Sequence, residues 1–179
     1  MTLSPPLQSF LDPSSSPLFN IVLHEPEIPN NTGNIGRTCV ATRSALHLIH
    51  PLGFELSEKA CRRAGLDYWP RLDLHEHATF DDFLNNTQVS PNRLWLLTTR
   101  TDRCVFDVSF QRGDYLVFGR ESRGLPLDLI DRYSNRCIGL PMVPGERSLN
   151  LASVVASTVY VGMYQLLARN ELGIGPENH

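Results

Sequence analysis

The chain has 179 residues, of which 41% are hydrophobic and 20% are charged, which is the usual size of one domain with a packed core and excludes general disorder. No apolar run approaches the roughly 20 residues that a membrane helix needs, and residues 1–17, which contain no Lys or Arg, do not have the pattern of a secretory signal. The formal net charge of −3 does not by itself indicate nucleic-acid binding. All basic residues except Lys59 are Arg, however, and the planar guanidinium suits phosphate.

Short apolar runs alternate along the chain with stretches of helical periodicity, a pattern that predicts an α/β fold with a largely parallel sheet flanked by helices. In chain order the predicted elements are strand Leu18–His24, helix Thr32–Ser44, strand Ala45–His50, helix Ser57–Ala64, strand Leu72–His77, helix Thr79–Asn86, strands Leu94–Thr98 and Tyr115–Phe118, helix Leu127–Tyr133, strand Cys137–Leu140 and helix Leu149–Arg169. Thr79 is the expected N-cap of its helix, and Pro126 suits the first turn of the helix that follows it. We expect residues 1–17 to be a flexible extension rich in Ser and Pro, residues 18–170 to form one domain, and residues 171–179 to be a tail.

The last predicted helix carries a broad apolar stripe at four-residue spacing, formed by Leu151, Val155, Val159, Met163 and Leu167. Small residues, Gly162 among them, would let another backbone approach this helix closely. Packing against the core and packing against a partner helix across a dimer interface both explain the pattern, and the sequence leaves that choice open.

The four cysteines are scattered and form no CxxC pair, which disfavours both a metal site and a disulfide framework. They are Cys39, Cys61, Cys104 and Cys137. Free thiols in a reducing cytosol are the simplest interpretation, so we expect a cytoplasmic protein without a bound metal.

Three polar loops follow predicted strands, at the sheet edge where ligands gather in open α/β folds. The first loop, 29–37 (PNNTGNIGR), has Asn and Gly residues that allow tight turns and leave backbone N–H groups free to face an anion. Arg37 is expected about one turn into the following helix, where it could reach a phosphate or a ribose. A plain turn with a surface Arg is the alternative.

The second loop, 118–126 (FGRESRGLP), lacks both the GxGxxG spacing of a dinucleotide fold and the Gly-Lys-Ser/Thr ending of a P-loop, which disfavours ordinary NAD and ATP sites. Glu121 in this loop could simply pair with a neighbouring Arg. The third loop, 140–150 (LPMVPGERSLN), has Ser148 where a helix N-cap would lie. Capping by Ser148 does not explain Asn150, a polar residue that opens an otherwise apolar helix.

Taken together, Asn31 with Arg37 six residues further on, the FGRESRGLP segment and the PMVPGERSLNLA segment resemble the three motifs of the SpoU/TrmH class of SPOUT RNA methyltransferases. The resemblance covers about residues 18–169, in the same order and without large gaps. The stretches Asn20–Arg37, Arg62–Tyr68 and Leu97–Thr99 resemble in addition the minimal members of that class, which methylate the wobble ribose of tRNA.

This resemblance implies a homodimer of parallel α/β subunits, each with its C-terminal part threaded into a deep trefoil knot, a feature that no sequence pattern would suggest. It implies that S-adenosylmethionine binds in the knot, held mostly by backbone groups. The residues implied at this cofactor are Leu97, Thr98, Gly119, Glu121, Leu140, Met142, Ser148 and Leu149.

The resemblance also implies a reaction, the methylation of the ribose 2′-hydroxyl of nucleotide 34, a cytidine or modified uridine, in the anticodon stem-loop of tRNA. The residues implied around the reacting ribose are Asn31, Arg37, Ser148 and Asn150. The family assigns the Arg as general base, but a guanidinium, which is effectively always protonated, is better suited to hold a phosphate and stabilise a developing alkoxide. Candidates for phosphate contacts, with surface salt bridges as the alternative, are Arg62, Arg63 and Arg123.

Three departures from the family pattern leave its polar positions intact. Asn30 stands where Pro is common, Gly36 replaces a larger apolar residue, and Gly145-Glu146 is a milder variation in the third motif. The competing hypotheses are 2′-O-methylation at another tRNA or rRNA position, a non-catalytic RNA-binding protein of the same fold, and a general nucleotide-binding module.

Overall fold

A computed structural model of the protein describes residues 16–56 and 66–172. The predicted helix Ser57–Ala64 lies outside the described residues, as do Cys61, Arg62, Arg63 and most of the two terminal segments. The strands described are Asn20–His24 (β1), Ala45–Ile49 (β2), Leu74–His77 (β3), Leu94–Leu97 (β4), Tyr115–Phe118 (β5) and Cys137–Ile138 (β6). The α-helices described are Pro29–Thr42 (α1), Phe80–Thr87 (α2), Leu127–Arg132 (α3) and Leu151–Ala168 (α4).

The six strands form one sheet in the order β3-β2-β1-β5-β4-β6, and every pair of neighbouring strands is parallel. The chain runs outward from β1 through β2 to β3 and then crosses to the other half of the sheet. The direction of winding changes between β1 and β5, and ligands of open α/β sheets bind at the carboxyl ends of strands at such a point. The predicted parallel α/β fold is therefore confirmed, while the trefoil knot stays an implication of the family resemblance.

Helices cover both faces of the sheet. All five residues of β1 are buried; Ile21 and Leu23 belong to a core shared with α1 and α4, whereas Val22 belongs to a core shared with α2 and α3. A continuous apolar run of this kind is typical of a parallel strand with helices on both sides. Cys39 and Cys137 are buried in these two cores as free thiols, as predicted.

Within the described residues the predicted elements occur in the predicted order, with some ends displaced by one to three residues. Helix α1 begins at Pro29 rather than at Thr32, because a first-turn proline needs no hydrogen-bond partner for its nitrogen. Asn30 and Asn31, which were predicted to lie in a loop, therefore belong to the first turn of α1.

Helix capping agrees with the sequence at one end and differs at another. Thr79 caps α2 as predicted, since its Oγ1 accepts a hydrogen bond from the Asp82 N–H at 3.0 Å. Pro126, predicted in the first turn of α3, instead precedes that turn as the N-cap residue.

Helix α4 packs one face against the core and exposes the other. Val155, Val159 and Leu166 are fully buried, and a Cβ on Gly162 would meet the Phe19 ring at 2.5 Å, so Gly162 serves core packing. By length and composition α4 also qualifies as a membrane-spanning helix, contrary to the expectation from the sequence; the core helix of a soluble protein passes the same test.

Candidate active site

A cavity of about 540 Å³ opens at the carboxyl ends of β4 and β5, beside the start of α1 and the start of α4. Its volume lies in the range of small-molecule sites. The eight residues predicted at a cofactor all line it: Leu97, Thr98, Gly119, Glu121, Leu140, Met142, Ser148 and Leu149. Asn31, Asn150 and Arg123 line it too, whereas Arg37 does not.

Part of the cavity wall is formed where two chain segments run side by side beyond the strands. The Thr98 N–H donates to the Ile138 carbonyl at 3.0 Å, and the Gly139 N–H donates to the Arg103 carbonyl at 2.9 Å. A Cβ on Gly139 would lie 2.9 Å from the Thr98 carbonyl oxygen, so a side chain there would force the segments apart. Apolar side chains complete this part of the lining: Leu97, Phe118, Leu125, Ile130 and Leu140.

The second loop folds back tightly on itself at Gly119. The Arg120 and Gly124 backbones bond to each other in both directions, at 3.2 and 2.8 Å, and Gly124 adopts a φ of +71°, which favours glycine. A Cβ on Gly119 would lie 2.0 Å from the Gly124 carbonyl carbon. No side chain fits at position 119 while this loop keeps its shape.

A hydrogen-bonded chain of three side chains joins the three loops that the sequence singled out. Asn31 donates from Nδ2 to Glu121 Oε1 at 3.0 Å. Asn150 donates from Nδ2 to Asn31 Oδ1 at 2.9 Å. Residues from β1–α1, from β5–α3 and from the start of α4 therefore converge at one point on the cavity.

Glu121 binds the amino end of α1 and does not pair with a neighbouring Arg, which was the simpler interpretation of its sequence. Its Oε2 accepts the Glu27 N–H at 2.8 Å and its Oε1 accepts the Ile28 N–H at 3.3 Å. Glu27 and Ile28 directly precede α1, and negative charge is favourable at the amino end of a helix. Glu121 thus satisfies backbone donors and orients Asn31 at the same time.

Two further contacts fasten the second loop to the first. β1 and β5 pair in a register that puts Leu23 opposite Phe118, and the same offset continues past the ends of the strands. Arg120 forms an ion pair with Glu25. Glu27 accepts hydrogen bonds from the Ser122 N–H at 2.9 Å and from the Ser122 hydroxyl at 2.8 Å. These contacts hold Glu121 between two fixed neighbours.

The sequence predicted Ser148 as the N-cap of α4, but the N-cap is Asn150. Asn150 Oδ1 accepts the Ser153 N–H at 3.2 Å. Ser148 is exposed and lines the cavity two residues earlier. The polar residue at the start of this apolar helix therefore has two functions, because it caps the helix and also binds Asn31.

Arg37 lies on the exposed surface of α1, outside the cavity lining. Because α1 begins at Pro29, Arg37 is more than two turns into the helix, not about one turn as predicted. Its guanidinium stacks over the Tyr68 ring, with the central carbon 4.6 Å from the ring centroid.

Arginines that the sequence did not single out also line the cavity. Arg100 and Arg147 lie there with Arg123, all three exposed, and within residues 16–56 and 66–172 none of the three forms an ion pair. Arg100 follows β4 and Arg147 lies in the third loop, so their positions at the ligand-binding edge of the sheet could have identified them from the sequence. Arg62 and Arg63 lie outside the described residues.

Comparison with known proteins agrees with this geometry. The model of the SpoU rRNA Methylase family matches residues 18–160. The tRNA (cytidine(34)-2′-O)-methyltransferase of Saccharophagus degradans is 48% identical over 150 residues, which cover 83% of this chain and 96% of that protein. The enzyme of the same name from Escherichia coli K12 is 46% identical over 150 residues, covering 83% and 94%.

A solved structure from work on the 2-OH methylation of C/U34 on tRNA superimposes with a TM-score of 0.76 at 43% identity, covering 84% of this chain and 97% of that one. The family model spans most of the described domain, and the motifs that carry the resemblance are those that meet at the cavity. The chain belongs to the SpoU rRNA methylase family.

Proposed function

We propose that this protein transfers the methyl group of S-adenosylmethionine to the ribose 2′-hydroxyl of nucleotide 34, a cytidine or modified uridine, in the anticodon loop of tRNA. The observation that carries the proposal is the Glu121–Asn31–Asn150 chain, which unites three separate loops at one cavity. Two relatives named tRNA (cytidine(34)-2′-O)-methyltransferase support this choice of substrate, and this chain matches more than 90% of the length of each.

The cavity fits S-adenosylmethionine in size and in the chemistry of its lining. An adenine ring needs an apolar slot, which Leu97, Phe118 and Leu140 offer. The methionine part needs polar contacts, which Thr98 and Ser148 can supply. When bound, this cofactor would supply an electrophilic methyl group on a sulfonium: the S–CH₃ bond would break as the bond to the 2′-oxygen forms, S-adenosylhomocysteine would leave, and the hydroxyl proton would pass to water.

Asn31, Ser148 and Asn150 hold and orient the 2′-hydroxyl. After the bonds already described, each of the two asparagine amides keeps one N–H for a further acceptor. Fixing a nucleophile in line with the transferred group can supply much of the reduction in barrier. Arg37 contacts the RNA next to the reacting ribose as an orienting cation, because a guanidinium is a poor proton acceptor and a good partner for phosphate and for a developing alkoxide.

The three exposed arginines at the cavity, Arg100, Arg123 and Arg147, bind RNA phosphates. The sequence adds Arg62 and Arg63, which lie outside the described residues, as further candidates for phosphate contacts. Because the whole chain carries a net charge of −3, attraction to RNA is confined to this surface and depends strongly on salt. The substrate implies a cytoplasmic enzyme.

Two copies of the chain pair through the exposed face of α4. Tyr160 is 57% exposed and Tyr164 is 72% exposed on that face, and the smaller Ser153 and Ser157 continue it at helical spacing. Large exposed aromatic side chains beside small ones favour close packing of a second helix.

The direct test incubates the purified protein with S-adenosylmethionine and an anticodon stem-loop RNA, with a second RNA that has a 2′-deoxyribose at position 34 as the matched control. Methyl transfer to the first RNA only is expected. Methylation of both RNAs would indicate a different nucleotide, and mapping in whole tRNA and rRNA would then identify it. Cofactor binding by calorimetry without any transfer would identify a non-catalytic relative.

A further inference from the structure

Tyr68 lies outside the three loops and outside the cavity lining, yet it contacts the helix that carries Asn31 and Arg37. It belongs to the RRAGLDY segment and is 3% exposed. The short helix Trp69–Arg71 that follows it packs on α1. The side chain is therefore buried between this segment and α1, close to a surface that the proposed reaction uses.

The Tyr68 hydroxyl fixes the backbone of α1 at the turn that carries Arg37. It donates to the Gly33 carbonyl at 2.5 Å. In an α-helix the carbonyl of residue 33 also accepts the N–H of residue 37. One carbonyl thus receives both the Tyr68 hydroxyl and the backbone of the arginine, which sets where the Arg37 side chain begins.

The Tyr68 ring then sets where that side chain lies. The guanidinium carbon of Arg37 is 4.6 Å from the ring centroid, within the range of a cation–π contact. Across the described parts of the chain Arg37 forms no ion pair. A carboxylate would occupy the N–H edges of the guanidinium, whereas an aromatic face orients the group and leaves those edges free for phosphate or ribose oxygens.

Trp69, which follows Tyr68 in the chain, packs against α1 at Gly36, the residue before Arg37. A Cβ on Gly36 would lie 3.0 Å from Trp69 Cζ3 and 3.3 Å from Leu72 Cδ2. The glycine that departs from the family pattern therefore allows an indole ring to lie against α1 beside Arg37. Tyr68 and Trp69 thus lie against two consecutive residues of α1, Arg37 and Gly36.

We propose that Tyr68 is a positioning residue that orients Arg37 toward the RNA. The inference rests on the proposed function of Arg37 and adds a residue that does not itself touch the substrate. The two parts of the side chain act separately. The hydroxyl fixes the backbone through Gly33, and the ring stacks on the Arg37 guanidinium and leaves the guanidinium N–H groups free.

The test compares Y68F, which keeps the ring, with Y68L, which removes it, in single-turnover methylation of the stem-loop RNA. Y133L is the matched control, because Tyr133 is another buried tyrosine under an arginine, Arg132 at 5.2 Å, on the other face of the sheet. Y68L is expected to lose about tenfold in the rate of methyl transfer with unchanged cofactor affinity, while Y68F stays within about threefold of the unsubstituted protein. Y133L is expected to keep the full rate.

Equal losses in Y68F and Y68L, or a Y68L loss matched by weaker cofactor binding, would overturn the proposal in favour of a structural role. A readout that does not need the leucine variant is the ring-current shift of the Arg37 side-chain resonances, expected in the unsubstituted protein and in Y68F; its absence would also overturn the proposal. If R37A transfers methyl groups normally, the proposed function of Arg37 fails. An inactive R37A beside a fully active Y68L refutes only the role of Tyr68.

Discussion

Asn150 donates to Asn31 across 119 positions of the sequence, at 2.9 Å. This contact fixes the orientation of both amides, because Asn150 Oδ1 is occupied by the Ser153 N–H and Asn31 Nδ2 is bound to Glu121. Neither amide can turn over without breaking a bond to a fixed group. The start of α4 and the start of α1 are thereby locked together at the mouth of the cavity.

Asn150→Asp separates the two functions of Asn150. The carboxylate still accepts the Ser153 N–H and favours the helix dipole, so the cap is kept. Its second oxygen faces Asn31 Oδ1, so the thermal unfolding midpoint should fall modestly. The donor to Asn31 is lost, and the proposed contact to the ribose with it, so the transfer rate should fall by about a hundredfold. Asn150→Ala should show the same loss of rate together with a loss of about 1 kcal/mol of stability from the missing cap. Full activity in N150D would contradict the proposed contact.

Glu121→Gln, a substitution in the second loop, should lower both the stability of the protein and its affinity for the cofactor. Glu121 accepts two backbone N–H groups and the Asn31 amide, and a glutamine must turn an NH₂ toward one of these donors. We expect a loss of about 2 kcal/mol in the free energy of unfolding and weaker cofactor binding, measured by urea denaturation and calorimetry. The matched control is Glu146→Gln, because Glu146 is exposed. Equal unfolding free energies and cofactor affinities in E121Q and E146Q would show that the hydrogen bonds of Glu121 do not support the cavity.

The fold was predictable because burial on both faces leaves a local signal in each strand. The strands β1 and β5, with the apolar runs 21–23 and 116–118, are found from their own residues. The start of α1 was not predictable, since Pro29 and Asn30 suit both a turn and a first helical turn. Which of Ser148 and Asn150 caps α4 depends on the path of the third loop and on Asn31, and neither is local information.

The site was predictable only as far as the family resemblance extends. The lining residues follow from motif positions, but the contacts that fix them join residues 90 or more positions apart. The pairs Glu25–Arg120 and Glu27–Ser122 share one offset of 95 with the Leu23–Phe118 register. Knowing the register of β1 against β5 would have pointed to both pairs.

Gly119→Ala should prevent the second loop from closing. The added methyl group would lie 2.0 Å from the Gly124 carbonyl carbon and 2.1 Å from the Leu125 nitrogen, which are both backbone atoms that cannot move aside. We expect loss of cofactor binding and a clear fall in the unfolding midpoint. Gly33→Ala is the control: its Cβ would make ordinary contacts at 3.5 Å and beyond, and alanine in a helix is favoured by about 0.5–1 kcal/mol. A G119A protein that binds cofactor normally would contradict this account of the loop.

Replacing both Tyr160 and Tyr164 with Glu should convert the proposed dimer to monomers. Two carboxylates on the exposed face of α4 would be buried without partners in a helix–helix interface, which is strongly unfavourable. Sedimentation velocity measures the change. The control is Leu127→Glu, since Leu127 is also 57% exposed but lies on α3, on the opposite face of the sheet. A double variant that sediments as the unsubstituted protein does would exclude α4 as the interface.

Acidification should destabilise the protein through a histidine pair that joins β2 to β3. His47 and His77 bond through their ring nitrogens at 3.0 Å, and burial, then the neighbouring His75, then His77, lower the pKa of His47 from the usual 6.5 to about 3. Burial also lowers the pKa of His77. Between pH 6.5 and about 3 the unfolded chain therefore binds more protons than the folded one, so stability falls as the pH falls through this window, by up to about 1.4 kcal/mol per pH unit from His47 alone. Urea denaturation between pH 7.5 and pH 5 measures the slope. His47→Gln should flatten it, whereas His50→Gln should not, because the His50 side chain is 42% exposed; an unchanged slope in H47Q would assign the acid sensitivity to other groups.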